Sequence, residues 1–197
     1  MSRLYSAACE RNRDPILAVL REVFPDEGFA LEIAAGTGMH SVHFAAAFEG
    51  LVWQPTDVDP GALASIEAWR VEEGTENLRS PIELDVTDEP WPVERADALL
   101  NANMIHISPY ECTHALFRGA AAVLVEGAPM VLYGPYKIGG EHTAPSNERF
   151  DESLRARDPS WGVRDLEAVQ ELAADAGLTF ERRVQMPANN LCVVFRR

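Results

Sequence analysis

The sequence has little cysteine: Cys9, Cys112 and Cys192 stand far apart among 197 residues. An odd, scattered set makes no disulfide framework, and without a Cys-x-x-Cys pair there is no zinc-binding spacing. The thiols therefore read as reduced and the location as cytoplasmic. Basic residues are scarce too. Seventeen Lys and Arg face thirty-one Asp and Glu, for a net charge of −14, whereas nucleic acid and anionic membranes need a basic surface to hold them. Neither is expected as a partner. No apolar run approaches the roughly 18 residues of a membrane span, and the opening Met-Ser-Arg-Leu-Tyr-Ser has no apolar stretch of signal-peptide length. Internal repeats and low-complexity tracts are also missing.

What is present is 47% hydrophobic residues, enough for one sizeable core and short for two, so one domain over 1–197 is expected. Helix and strand signals alternate along it. Asp14-Pro15, Asp59-Pro60 and Ser108-Pro109 each read as a cap followed by proline in the first turn, with Ile16, Val19, Leu20 and Val23 at helical spacing after the first pair. A further helix is predicted over 39–48, and one over 165–176 is stopped by Gly177. Apolar runs at 29–34, 51–57, 81–86, 96–103 and 130–133 read as strands, and two more, 179–185 and 191–195, are joined by Met186-Pro-Ala-Asn-Asn190. Gly134 to Gly162 is too long for an ordinary connection and is predicted to be a lid-like insertion with one short helix around 147–155. The alternation implies an α/β, doubly wound, mostly parallel seven-stranded sheet whose C-terminal strand is antiparallel.

Residues 31–40, LEIAAGTGMH, carry the strongest chemical signal. A strand runs into a glycine turn, where Gly36 and Gly38 would let the backbone approach a ligand closely, and a helix follows. Asp57 closes the next strand, one helix and one strand further on, placed to accept hydrogen bonds from two ribose hydroxyls. This is a nucleotide-type cofactor cradle. A dinucleotide fingerprint fits less well, because its third glycine, counted from Gly36, falls on Ser41. Asp59 reads as a helix cap, His40 and His43 as packing or capping residues with no metal site, and Trp53, Trp69 and Trp91 as core or rim.

The order of elements, the antiparallel last strand and the three acids Glu32, Asp57 and Asp85 resemble the class I S-adenosylmethionine-dependent methyltransferases. Cys-Glu-Arg-Asn near residue 10, Asn-Met-Ile-His-Ile near 104, His-Thr-Ala-Pro-Ser-Asn near 145 and Met-Pro-Ala-Asn-Asn-Leu near the end more narrowly resemble a small methyltransferase-like family of unknown function. The resemblance implies S-adenosylmethionine as cofactor and S-adenosylhomocysteine as product. It implies Glu32, Ala34, Gly36 and Gly38 near the methionine part, Asp57 with Val58 at the ribose, and Asp85 with Val86 at the adenine. Ala34 stands where many members have the first glycine. The N-terminal segment 1–24 would fold over the cofactor, with Arg11, read as preceding the first helix, a candidate for the methionine carboxylate.

Ligands in open parallel sheets bind beyond the carboxyl ends of the strands. There the fourth strand delivers Asn101, Asn103, Met104 and His106, the fifth Tyr133, and the closing turn Asn189 and Asn190. Asn101 and Asn103 are assigned to the cofactor. His106 is the first candidate general base and Tyr133 the second, and the two asparagines would orient the acceptor. The expected activity is methyl transfer to an oxygen, nitrogen or sulfur nucleophile on a small molecule, the alternatives being an NAD(P)-dependent oxidoreductase and a non-catalytic binding protein on the same fold.

Overall fold

Helices begin where a short polar side chain takes over a backbone N–H that the first turn leaves unpaired. In the computed structural model, which describes residues 3–197, Ser6, Asp59 and Asp165 do this for α1 (Ala7–Val23), α3 (Pro60–Glu73) and α6 (Leu166–Asp175). The first of these corrects the expected start at Asp14. Pro15 lies inside α1, and the hydrogen bond it forfeits is offset by the apolar stripe Ile16, Leu17, Val19, Leu20 and Val23, which is buried. Glu10, Arg11 and Asn12 are therefore helical and do not precede the helix. Ser108 is not a cap either: its hydroxyl donates to the Met104 carbonyl at 2.7 Å, and α4 (Tyr110–Val123) starts after Pro109 with no side-chain cap.

The strands are β1 (Gly28–Ile33), β2 (Leu51–Asp57), β3 (Ile82–Glu83), β4 (Ala98–Ala102), β5 (Pro129–Gly134), β6 (Lys137–Ile138), β7 (Glu141–His142), β8 (Thr179–Gln185) and β9 (Leu191–Arg196). The main sheet has the order β3-β2-β1-β4-β5-β9-β8, with β9 antiparallel to both neighbours and the other pairings parallel. Residues of alternate parity along each strand feed two cores. Leu31, Leu99, Leu132 and Val193 face α4 and α6, while Ala30, Leu100, Val131 and Val194 face α1 and α2 (Met39–Ala47). β3, predicted over 81–86, shrinks to two residues at the edge of the sheet.

The 134–162 insertion is the hairpin β6–β7 followed by α5 (Pro145–Arg157). Buried Asp151 ties it down. Its carboxylate meets Lys137 Nζ at 3.3 Å and His142 Nε2 at 3.4 Å, and accepts from the Val163 N–H at 2.7 Å. Hairpin, helix and the following loop thus share one anchor, set against the carboxyl ends of the strands.

Candidate functional site

A cavity of about 910 Å³ opens over those carboxyl ends, between the glycine turn, the first turns of α1, α5 and the β8–β9 connection. At its floor Gly36 has φ +60°, a backbone angle glycine adopts without strain, and no heavy atom lies within 4 Å of where a Cβ would stand. A ligand can therefore meet the bare backbone. The Gly36 N–H donates to Asp57 Oδ2 at 2.8 Å and the Asp59 N–H to Oδ1 at 3.0 Å, which fixes the buried carboxylate while leaving each oxygen a further lone pair. Asp85 Oδ1 accepts from the Thr87 N–H and hydroxyl. Its Oδ2 is free to face a ligand beside Val58 and Val86, which also line the cavity. Ala34, at φ 56°, holds the left-handed turn that a glycine would adopt at lower cost.

Two members of the expected cradle lie elsewhere. Gly38 does not line the cavity: a Cβ there would stand 2.7 Å from the Ile66 Cα, so this glycine lets α2 pack on α3. Glu32 is buried in the core, where Ser41 Oγ and Trp53 Nε1 both donate to Oε2 at 2.7 Å. Burial pushes its pKa from 4.5 up to about 7, against the pull of those two donors. The folded protein then holds a proton that the unfolded chain releases. This contribution to stability is present in full below about pH 4.5 and is lost as pH rises through 7, a change of up to about 3 kcal/mol. Glu32→Gln is expected to flatten that slope in urea titrations between pH 5 and 8; an unchanged slope would mean that Glu32 is ionised throughout.

At the other end, Asn103 (φ 66°) and Tyr133 line the cavity together with Arg11 and Asn12 of α1. Asn190 Nδ2 donates to Tyr133 Oη at 2.9 Å. Asn12 Oδ1 meets His40 Nε2 at 2.7 Å, and the buried imidazole is held neutral, its pKa down at about 4. Asn101 lies beneath the lining, its Nδ2 bonded to the Ile33 carbonyl at 2.9 Å. Asn189 is outside the lining as well. Its Nδ2 donates to Ser146 Oγ and its carbonyl accepts from Asn147 Nδ2, so it clips the closing turn to α5.

The sequence-based candidate base His106 is not placed to act as one. It sits in a 3-10 turn (Met104–His106), is fully buried and does not line the cavity. The Arg164 N–H donates to its Nδ1 at 3.3 Å, so the neutral ring carries its hydrogen on Nε2 and has no lone pair to offer. Burial holds its pKa down at about 3. Residues that the sequence did not single out include Asn12, Asn147, Phe150 and Trp161. Two had a visible signal: Asn12 interrupts the apolar stripe of α1 four residues before Ile16, and Phe150 pairs with Leu154 on an otherwise polar helix. Among the described residues no cluster of three His, Cys, Asp or Glu suited to a metal forms.

A seven-stranded sheet in this order, with an antiparallel strand inserted beside β5, has the fold of the class I S-adenosylmethionine-dependent methyltransferases. The mitomycin 7-O-methyltransferase MmcR superposes with a TM-score of 0.82 at 17% identity over 97% of this chain and 54% of its own. An O-methyltransferase family protein from Burkholderia thailandensis gives 0.82 at 14%, over 96% and 57%. Human N-acetylserotonin methyltransferase, solved in complex with SAM, gives 0.77 at 16%, over 96% and 52%. The chain thus spans little more than half the length of these solved proteins. It belongs to the family described as protein of unknown function (DUF938), whose model matches residues 3–197.

Proposed function

We propose that the chain is a S-adenosylmethionine-dependent methyltransferase acting on a small molecule. The observation that carries this is the cavity over the switch in strand order, with a fixed carboxylate and an unobstructed glycine backbone at one end and Asn103, Tyr133 and Asn190 at the other. Asp57 would hold the ribose, Asp85 with Val58 and Val86 the adenine, and Ala34, Gly36 and Arg11 the methionine part. When bound, the cofactor supplies an electrophilic methyl carbon. The chain's own residues do the rest. The first turns of α1 and α5 flank the cavity and exclude water, while Asn190 holds the Tyr133 hydroxyl in one orientation against an acceptor. The enclosure favours a small acceptor over a macromolecule, and no helix among the described residues is long and apolar enough to cross a membrane.

A nicotinamide dinucleotide suits the turn less well, because Ser41, where the third glycine of its fingerprint would stand, is buried and bonded to Glu32. S-adenosylhomocysteine at saturation is therefore expected to raise the melting temperature by several degrees, equivalent to roughly 3 kcal/mol at 100-fold excess over Kd, and NADH is expected not to. A shift with NADH alone would transfer the proposal to an oxidoreductase.

A further inference from the structure

The two ends of the cavity differ in what they can do to a proton. Asp57 and Asp85 stand at the end over β2 and β3, whereas β5 and the closing turn contribute Tyr133, Asn190 and Pro187, the turn after β4 contributes Met104, and the insertion contributes Phe150 and Trp161, with no carboxylate and no imidazole among these wall residues. Tyr133 is the one phenol there, and the Asn190 amide donates to its oxygen. With the Asn190 N–H at its oxygen, the hydroxyl keeps its hydrogen to present to a ligand. Burial also raises its pKa above the usual 10. His40 is tied through Nε2 to Asn12 with its ring stacked on Phe44, the centroids 5.2 Å apart. His106 lies outside the wall with its free lone pair taken. An acceptor seated at this end must therefore arrive with its nucleophilic atom unprotonated, or lose the proton to water.

We infer that the acceptor is an uncharged, ring-bearing thiol, methylated on sulfur without a protein base, and that Phe150 and Trp161 hold its ring. This rests on the methyltransferase reading above and narrows it to a substrate class. At pH 7 an ordinary thiol is a few per cent thiolate and strongly nucleophilic even so, whereas a phenol is ionised in only about one molecule in a thousand and an aliphatic amine is protonated. Sulfur is also soft and makes favourable contacts with aromatic edges and thioethers, and the wall supplies Phe150, Trp161 and Met104. Arg11 is the one cationic side chain in the lining, on α1. In the reaction the thiol gives its proton to water. The thiolate electron pair then forms the new S–CH3 bond as the bond from that carbon to the donor sulfonium sulfur breaks, and the breaking pair returns to the donor sulfur. The products are a methyl thioether, S-adenosylhomocysteine and one proton.

The test uses the full chain with S-adenosylhomocysteine bound and titrates thioanisole, the methylated form of thiophenol, while tryptophan fluorescence is read. Saturable quenching is expected. It should be lost in Trp161→Phe, and the midpoint should move at least tenfold in both Phe150→Ala and the milder Phe150→Leu, with S-adenosylhomocysteine affinity unchanged, on the order of the loss of one aromatic contact. With the methyl donor supplied, thiophenol should yield S-adenosylhomocysteine at least about 100-fold faster than phenol, and its rate should follow the thiolate fraction with pH and then stay flat. Equal rates with phenol, a falling limb that belongs to a protein group, absence of thioanisole binding, or binding indifferent to both Phe150 variants would each overturn the inference. Failure of S-adenosylhomocysteine itself to bind would instead remove the methyltransferase reading on which it stands.

Discussion

Gly38→Ala is expected to lower the stability of the protein by about 3 kcal/mol, with urea unfolding as the measurement. Two costs add. An alanine at φ +87° is strained, and its Cβ would stand 2.7 Å from the Ile66 Cα, a backbone atom that moves only if α3 moves away from α2. Gly36→Ala provides the contrast within the same turn. At φ +60° it has no atom within 4 Å of the new Cβ, so it should lose only about 1 kcal/mol of stability. Because Gly36 lines the cavity and Gly38 does not, the loss of cofactor affinity should follow Gly36→Ala and leave the folded Gly38→Ala protein largely unaffected. A Gly38→Ala protein with the wild-type unfolding midpoint would mean that the α2–α3 contact is not as described.

The second large effect belongs to Asp57. On the proposed function, removing its carboxylate would delete the charge-assisted bonds to the ribose, and it releases the Gly36 and Asp59 N–H groups that it holds. Asp57→Ala is expected to weaken S-adenosylhomocysteine by roughly 2 kcal/mol, about thirtyfold in Kd. Asp57→Asn, which keeps an acceptor oxygen for one of the N–H groups, should fall between the two. Unchanged affinity in a folded Asp57→Ala protein would take this residue out of the site.

Much of the fold was legible because burial and pattern agree. The bounds of β2 and β8 coincide with the predicted runs 51–57 and 179–185, and Asp59, Asp165 and Gly177 delimit helices where their chemistry says they should. The start of α1 was not legible, because Asp14-Pro15 looks like a stronger local start than Ser6, and only the packing of the stripe from Ile16 to Val23 shows why a helix runs through that proline. Of the candidate residues, Gly36, Asp57, Asp85, Tyr133 and Asn190 line the cavity, since strand order alone carries them to one edge. His106 and Asn189 could not be resolved the same way. Sequence position sets how far along the chain a residue lies, but the turn after β4 rotates His106 under the cavity, and the left-handed Asn189 turns toward Ser146. Phe150 and Trp161 reach the cavity only through the anchoring of the insertion at Asp151, a tertiary arrangement that no local pattern encodes.

The central claim is that this cavity binds the methyl-donor cofactor, and isothermal titration of S-adenosylhomocysteine into the purified full chain tests it most directly. One molecule per chain is expected with a Kd on the order of micromolar, about −8 kcal/mol, and at least 100-fold weaker binding of NADH. The absence of heat up to millimolar S-adenosylhomocysteine, or tighter binding of NADH, would contradict the claim.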